Sequence, residues 1–278
     1  PAYLRTSRFA LGPDSAAGFF TLLEYLGTTK TPPQTAKGQV TGPVTAGIGV
    51  KDSKGNSIFY DDNLRDMLIK LLALKGSWQV TELRRCTSPA QPIIFIDEPG
   101  LVSFGSSGFG GISREMVSQA VAEVIAAINS AGGLAGVHIC ANGDWGPALT
   151  SNTDIISFDA YSYFDNFILY QEQLRTFLAR GGILAWGIVP TGDPTAVIQE
   201  SAPSLFAKWL VQLRRLTTLG FSEQQLMAQT LIAPSCGTGS LPLELACKVL
   251  AMTHELSHLA RAHLTKATAS PHQTETHP

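Results

Sequence analysis

The feature that most restricts the folds open to this chain is a rhythm. Short, almost unbroken apolar runs are each followed by a stretch with helical spacing. The runs are Lys37–Val44, Pro92–Ile96, Leu134–Ile139, Asp154–Phe158, Ile183–Ile188 and Met227–Ile232; the helical stretches are 62–85, 113–131, 144–149, 169–179, 203–219 and 242–264. Continuous apolar strands belong to sheets covered on both faces, which means parallel strands joined by crossover helices. A doubly wound open sheet and a (β/α)8 barrel both have this order. No G-x-G-x-x-G follows an early strand, which removes the main support for a dinucleotide-binding sheet. The expectation is therefore an α/β chain of the (β/α)8 TIM-barrel type. Six units are two short of eight, so the first one or two strands of the barrel are expected to be missing from this sequence.

Ahead of the first unit, residues 1–36 read as irregular chain around one helix, 16–26, with Asp14 or Ser15 as its N-cap. Residues 1–264 are expected to form a single catalytic domain, and the polar tail 265–278 to be disordered. With 278 residues and 44% hydrophobic content, the chain can bury a barrel-sized core. A net charge of −2 gives no footprint for nucleic acid or a membrane surface. No apolar run approaches the roughly 20 residues that span a bilayer. Four cysteines at irregular spacing, Cys86, Cys140, Cys236 and Cys247, do not make a disulfide framework, which fits a reducing, cytoplasmic setting. The chain opens on Pro1 without a methionine or a signal-peptide pattern, so its true N-terminus is expected upstream.

In a barrel, the chemistry sits where strands end. The ends here are Thr41-Gly42-Pro43, Asp97-Glu98-Pro99, His138-Ile139-Cys140, Asp159-Ala160-Tyr161, Pro190-Thr191 and Ser235-Cys236-Gly237. Within the third run, His138 and Cys140 stand at i and i+2, so an extended backbone points both to one face. Imidazole nitrogen and thiolate sulfur are the ligand atoms zinc most often takes. Two cysteines, one histidine and one or two carboxylates, gathered from distant parts of the sequence, would make a complete zinc shell.

The motifs Lys37-Gly-Gln-Val-Thr-Gly-Pro-Val-Thr45, Ile96-Asp-Glu-Pro99, His138-Ile-Cys140, Ile155-Ile-Ser-Phe-Asp159 and Ala233-Pro-Ser-Cys-Gly237 resemble, in order, the strand motifs of the C-terminal barrel of the cobalamin-independent methionine synthase family. The resemblance covers residues 37–240 and implies a zinc-dependent transfer of a methyl group to the thiol of homocysteine, giving methionine. It implies His138, Cys140, Asp159 and Cys236 as zinc ligands, with Asp159 standing where the family has glutamate. It also implies Asp97 as the contact for the homocysteine amine, with Glu98 beside it in the substrate site. Other family positions differ: Gly49 and Ser103 replace a tryptophan and a glutamate of the folate site. The loop Trp186-Gly-Ile-Val-Pro-Thr-Gly-Asp193 lacks the family's acid histidine. The resemblance thus implies methyltetrahydrofolate or a methyl-corrinoid protein as the methyl donor.

Three alternatives stand beside this reading. One is a corrinoid-dependent methyltransferase of the uroporphyrinogen-decarboxylase-like superfamily acting on another thiol. A second is a zinc peptidase at His254-Glu-Leu-Ser-His258, a literal H-E-x-x-H on a helical stretch. That pattern lacks the metzincin extension, and Leu250, Leu256 and Leu259 are expected to turn the same helix to the core. The third is a non-catalytic barrel. The glycine-rich stretch 105–111 has no following G-K-[ST] and reads as a mobile active-face loop or a plain linker.

Overall fold

Ile93-Ile94-Phe95-Ile96 and the other apolar runs do become strands. The computed structural model describes residues 8–86, 91–103 and 110–269. Its strands are β1 (Lys37–Thr41), β2 (Ile93–Asp97), β3 (Leu134–Ile139), β4 (Ile155–Phe158), β5 (Ile183–Val189) and β6 (Thr230–Pro234), which form one sheet in sequence order. The pairings β1–β2, β2–β3 and β5–β6 are parallel. The helices are α1 (Ala17–Thr28), α2 (Pro43–Gly49), α3 (Asp62–Cys86), α4 (Arg114–Ser130), α5 (Gly146–Leu149), α6 (Ala160–Phe167), α7 (Gln171–Ala179), α8 (Pro194–Gln199), α9 (Ala202–Leu216), α10 (Glu223–Ala228) and α11 (Leu243–Ala269). The chain is thus an α/β protein with a six-stranded sheet.

Several boundaries differ from the sequence reading, each for a local reason. The run Lys37–Val44 ends as a strand at Thr41, because Pro43 has no N–H for a ladder and opens α2 instead. Helix 169–179 is preceded by a second helix, α6, whose N-cap is Asp159. The run Met227–Ile232 yields a strand only from Thr230, because Ser222 and Gln225 form a capping box that keeps Met227 in α10. Ser201 and Ser204 similarly start α9, after the short α8. Neither Asp14 nor Ser15 caps α1: the N-cap is Ala16, and Ser15 Oγ donates to Gly12 O. Ser113 does cap α4, accepting from Met116 N at 3.2 Å. Helix α11 continues through Thr265 to Ala269; residues 270–278 of the expected tail, and 105–109 of the glycine-rich stretch, lie outside the described residues.

The chain divides into two compact units, Pro1–Ser157 and Phe158–Pro278. In the first, α3 buries Ile69, Leu72, Gly76, Gln79 and Leu83, a stripe at helical spacing. At Gly76 a Cβ would come within 2.9 Å of Ile128, so the glycine permits the close approach of α3 and α4. Gln79 is buried, and its amide meets both backbone groups of Gln39: Nε2 donates to Gln39 O at 2.9 Å and Oε1 accepts from Gln39 N at 3.1 Å. The alternate position Gly42 bonds to β2, donating to Asp97 O, so the Gln39 groups belong to the side of β1 turned away from β2. Gly38 leaves room for this amide, since a Cβ there would lie 2.3 Å from Gln79 Oε1.

In the second unit the core is aromatic. Phe158 and Phe167 stack at 3.8 Å, and Trp186 packs against Phe158, Phe164 and Trp209. Such rings bury large apolar areas and gain further from tilted and stacked geometry. At Gly187 a Cβ would come within 2.6 Å of Phe158 O and 2.8 Å of Ser235 Cα, so this glycine lets neighbouring backbone pass close by. Thr191 and Ser235 then join the ends of β5 and β6: Ser235 Oγ accepts from Thr191 N at 3.1 Å and lies 2.9 Å from Thr191 Oγ1.

Candidate metal centre

Registry brings the first site residues together. Thr41 pairs with Asp97, and Asp97 pairs with His138. Residues in register on neighbouring strands point to the same face, so these three form one row at the strand ends. Cys140 follows His138 by two residues, and Cys236 follows β6. The ligand atoms of His138, Cys140 and Cys236 all lie within 4.8 Å of one another, a group that could hold a metal ion.

The donor set fits a borderline-soft cation: one imidazole nitrogen and two thiol sulfurs, supplied by residues at strand ends. His138 Nδ1 lies 2.9 Å from Ser157 Oγ. Burial, aided by the positive charge of Lys37, lowers the His138 pKa to about 4. The imidazole is therefore neutral at pH 7, the form in which it is a ligand. Cys140 is partly buried and Cys236 is exposed.

Asp159, implied as the fourth ligand, is not part of this group among the described residues. Its Oδ1 accepts from Ser162 N at 2.9 Å as the N-cap of α6. Burial holds its carboxyl above the usual range, while the bonds from Ser162 pull the other way. One oxygen of this shorter carboxylate thus serves a helix start.

The two neighbouring carboxylates of β2 have separate surroundings. Asp97 is partly buried, and desolvation raises its pKa against the pull of Lys37. Desolvation likewise lowers the pKa of Lys37, although the residue as a whole is exposed; Asp97 opposes that shift. The Lys37 ammonium donates to Gln39 Oε1 at 2.5 Å and lies 5.3 Å from the centre of the Phe95 ring. Glu98 is fully buried and turned to α2, accepting from Val44 N at 2.9 Å, Thr45 N at 2.8 Å and Thr45 Oγ1 at 2.6 Å. Burial pushes its pKa up to about 7. Gly42 is required beside it, since a Cβ there would fall 2.1 Å from the Glu98 carboxyl carbon. Glu98 therefore ties the end of β2 to the start of α2.

Sequence reasoning overlooked Lys37, Ser157 and Gln79. Ser157 had a signal, being the one polar residue in the buried strand Ile155–Phe158. The H-E-x-x-H stretch does form one turn of α11, with His254 and His258 both exposed. No third histidine, cysteine or carboxylate joins them among the described residues. Leu256 is buried there, but Leu250 is 58% exposed, because six residues of helix place the two about 120° apart around the axis. Trp145 is buried in the core. No protein-family model and no curated protein matches the chain. Among the described residues, no helix is long and apolar enough to cross a membrane.

Proposed function

We propose that this protein is a zinc-dependent S-methyltransferase of the methionine synthase type, acting on the thiol of homocysteine. The observation that carries the proposal is the convergence of His138, Cys140 and Cys236. Three protein ligands leave a tetrahedral cation one further position, the arrangement of catalytic rather than structural zinc sites. Zinc held there would act as a Lewis acid that lowers the pKa of a substrate thiol, making it a nucleophile at neutral pH. The six strand-helix units are read as part of a (β/α)8 barrel, whose strand ends carry the site.

The other residues then have separate tasks. Ser157 lies 2.9 Å from Nδ1 of His138; as acceptor of the Nδ1 proton it would leave Nε2 as the ligand atom. Asp97, in the same row as His138, receives the amino group of homocysteine and so orients the thiol. Lys37 offsets the negative charge of Asp97 and favours its ionised form. Glu98 keeps α2 and the end of β2 in place. The donor is methyltetrahydrofolate or a methyl-corrinoid protein. The corrinoid is favoured by the loop after β5, Pro190-Thr191-Gly192-Asp193, which has no histidine and whose Asp193 caps α8.

The test is metal content with X-ray absorption at the zinc edge. About one zinc per chain, lost in Cys236→Ser and gaining a sulfur neighbour when homocysteine is added, supports the reading. Zinc indifferent to both would overturn it. Product formation from methylfolate or methylcobalamin then identifies the donor.

A further inference from the structure

Helix α11 carries a feature that the proposed reaction does not use. His254 and His258 stand at i and i+4, both exposed, with their Nε2 atoms 3.1 Å apart. Their rings are tilted by 71° with centroids at 4.4 Å, so the two nitrogens converge while the rings splay apart. A first-row divalent ion bound to imidazole sits about 2.0–2.1 Å from each nitrogen. Two nitrogens 3.1 Å apart then subtend roughly 100° at the ion, between the cis angle of a square plane and the tetrahedral angle. The backbone also fixes the spacing, because residues four apart on a helix lie one above the other.

We propose that His254 and His258 form a second metal site, a two-imidazole clamp for Cu2+, Ni2+ or Zn2+ on the surface of α11. Imidazole suits these cations, and copper and nickel rank at the tight end of the divalent series. Water fills the remaining positions, so the site is a surface clamp and not a peptidase centre. Bound metal would tie two successive turns of α11 together. The inference is independent of the methyltransferase reading, since no residue is shared.

The test is calorimetric titration of tag-free protein with NiCl2. His272 and His277 lie outside the described residues, so the background is His272→Asn/His277→Asn. Nickel should bind once at the clamp, and this event should persist in the further variant Cys236→Ser. His254→Asn or His258→Asn turns a bidentate site into a monodentate one and should weaken binding by about a hundredfold. Circular dichroism of each variant checks that α11 is still folded. Equal nickel affinity with and without His254 and His258 would overturn the proposal, as would loss of all nickel binding in Cys236→Ser.

Discussion

Asp97 and Glu98 are consecutive carboxylates that the strand turns to different tasks. Glu98 gains protons on folding, because its pKa rises from 4.5 to about 7. Between those values the folded state binds more protons than the unfolded one, so this group's contribution to stability declines as pH rises. Urea unfolding at pH 5 and pH 8 should show a slope of that sign, reduced in Glu98→Gln. Asp97→Ala should raise KM for homocysteine more than for a thiol without an amine, checked by steady-state kinetics with both acceptors. Ser157→Ala leaves His138 Nδ1 without its partner and should weaken metal binding by about 10- to 100-fold in competition with a chelating dye. Asp159→Ala should retain the metal and lose about 1 kcal/mol of stability as a missing helix cap. The grouping of His138 with Cys140 was legible in the sequence because H-x-C at the end of an extended run gives the two a common face. The capping role of Asp159 was not, because an aspartate between a strand and a helix has the same local signature whether it ligates or caps.

At the level of elements, strand existence could be read from apolar runs, whereas strand limits depended on caps. Thr230–Pro234 begins three residues later than its apolar run because the Ser222–Gln225 capping box holds the preceding residues in a helix. The start of α2 shows how closely an element is tied to the site. Gly42 leaves room for Glu98, and Glu98 in turn receives the free amides of α2. Gly42→Ala must displace the carboxylate from those amides. Thermal unfolding should reveal a loss of about 1–3 kcal/mol, the cost of buried polar groups left without partners.

For the whole molecule, the sequence revealed the α/β class and the strand count, because both follow from patterning along the chain. The partnership of Gln79 with Gln39 was not legible, since it joins residues forty apart in sequence through a side chain with no motif. A metal bound only by the folded state should also stabilise the entire chain. Removal of zinc by a chelator should lower the melting temperature, and added zinc should restore it. At a free zinc concentration about a hundredfold above Kd the linked stabilisation is roughly 2.7 kcal/mol.

The amide of Gln79 has a consequence for how these molecules behave in company. A bare strand margin invites a neighbouring chain to add itself, rung by rung, and so begin an aggregate. On β1 the middle rung, Gln39, is already taken by the Gln79 amide. An intruding strand would have to displace this one glutamine before it could form its central bonds.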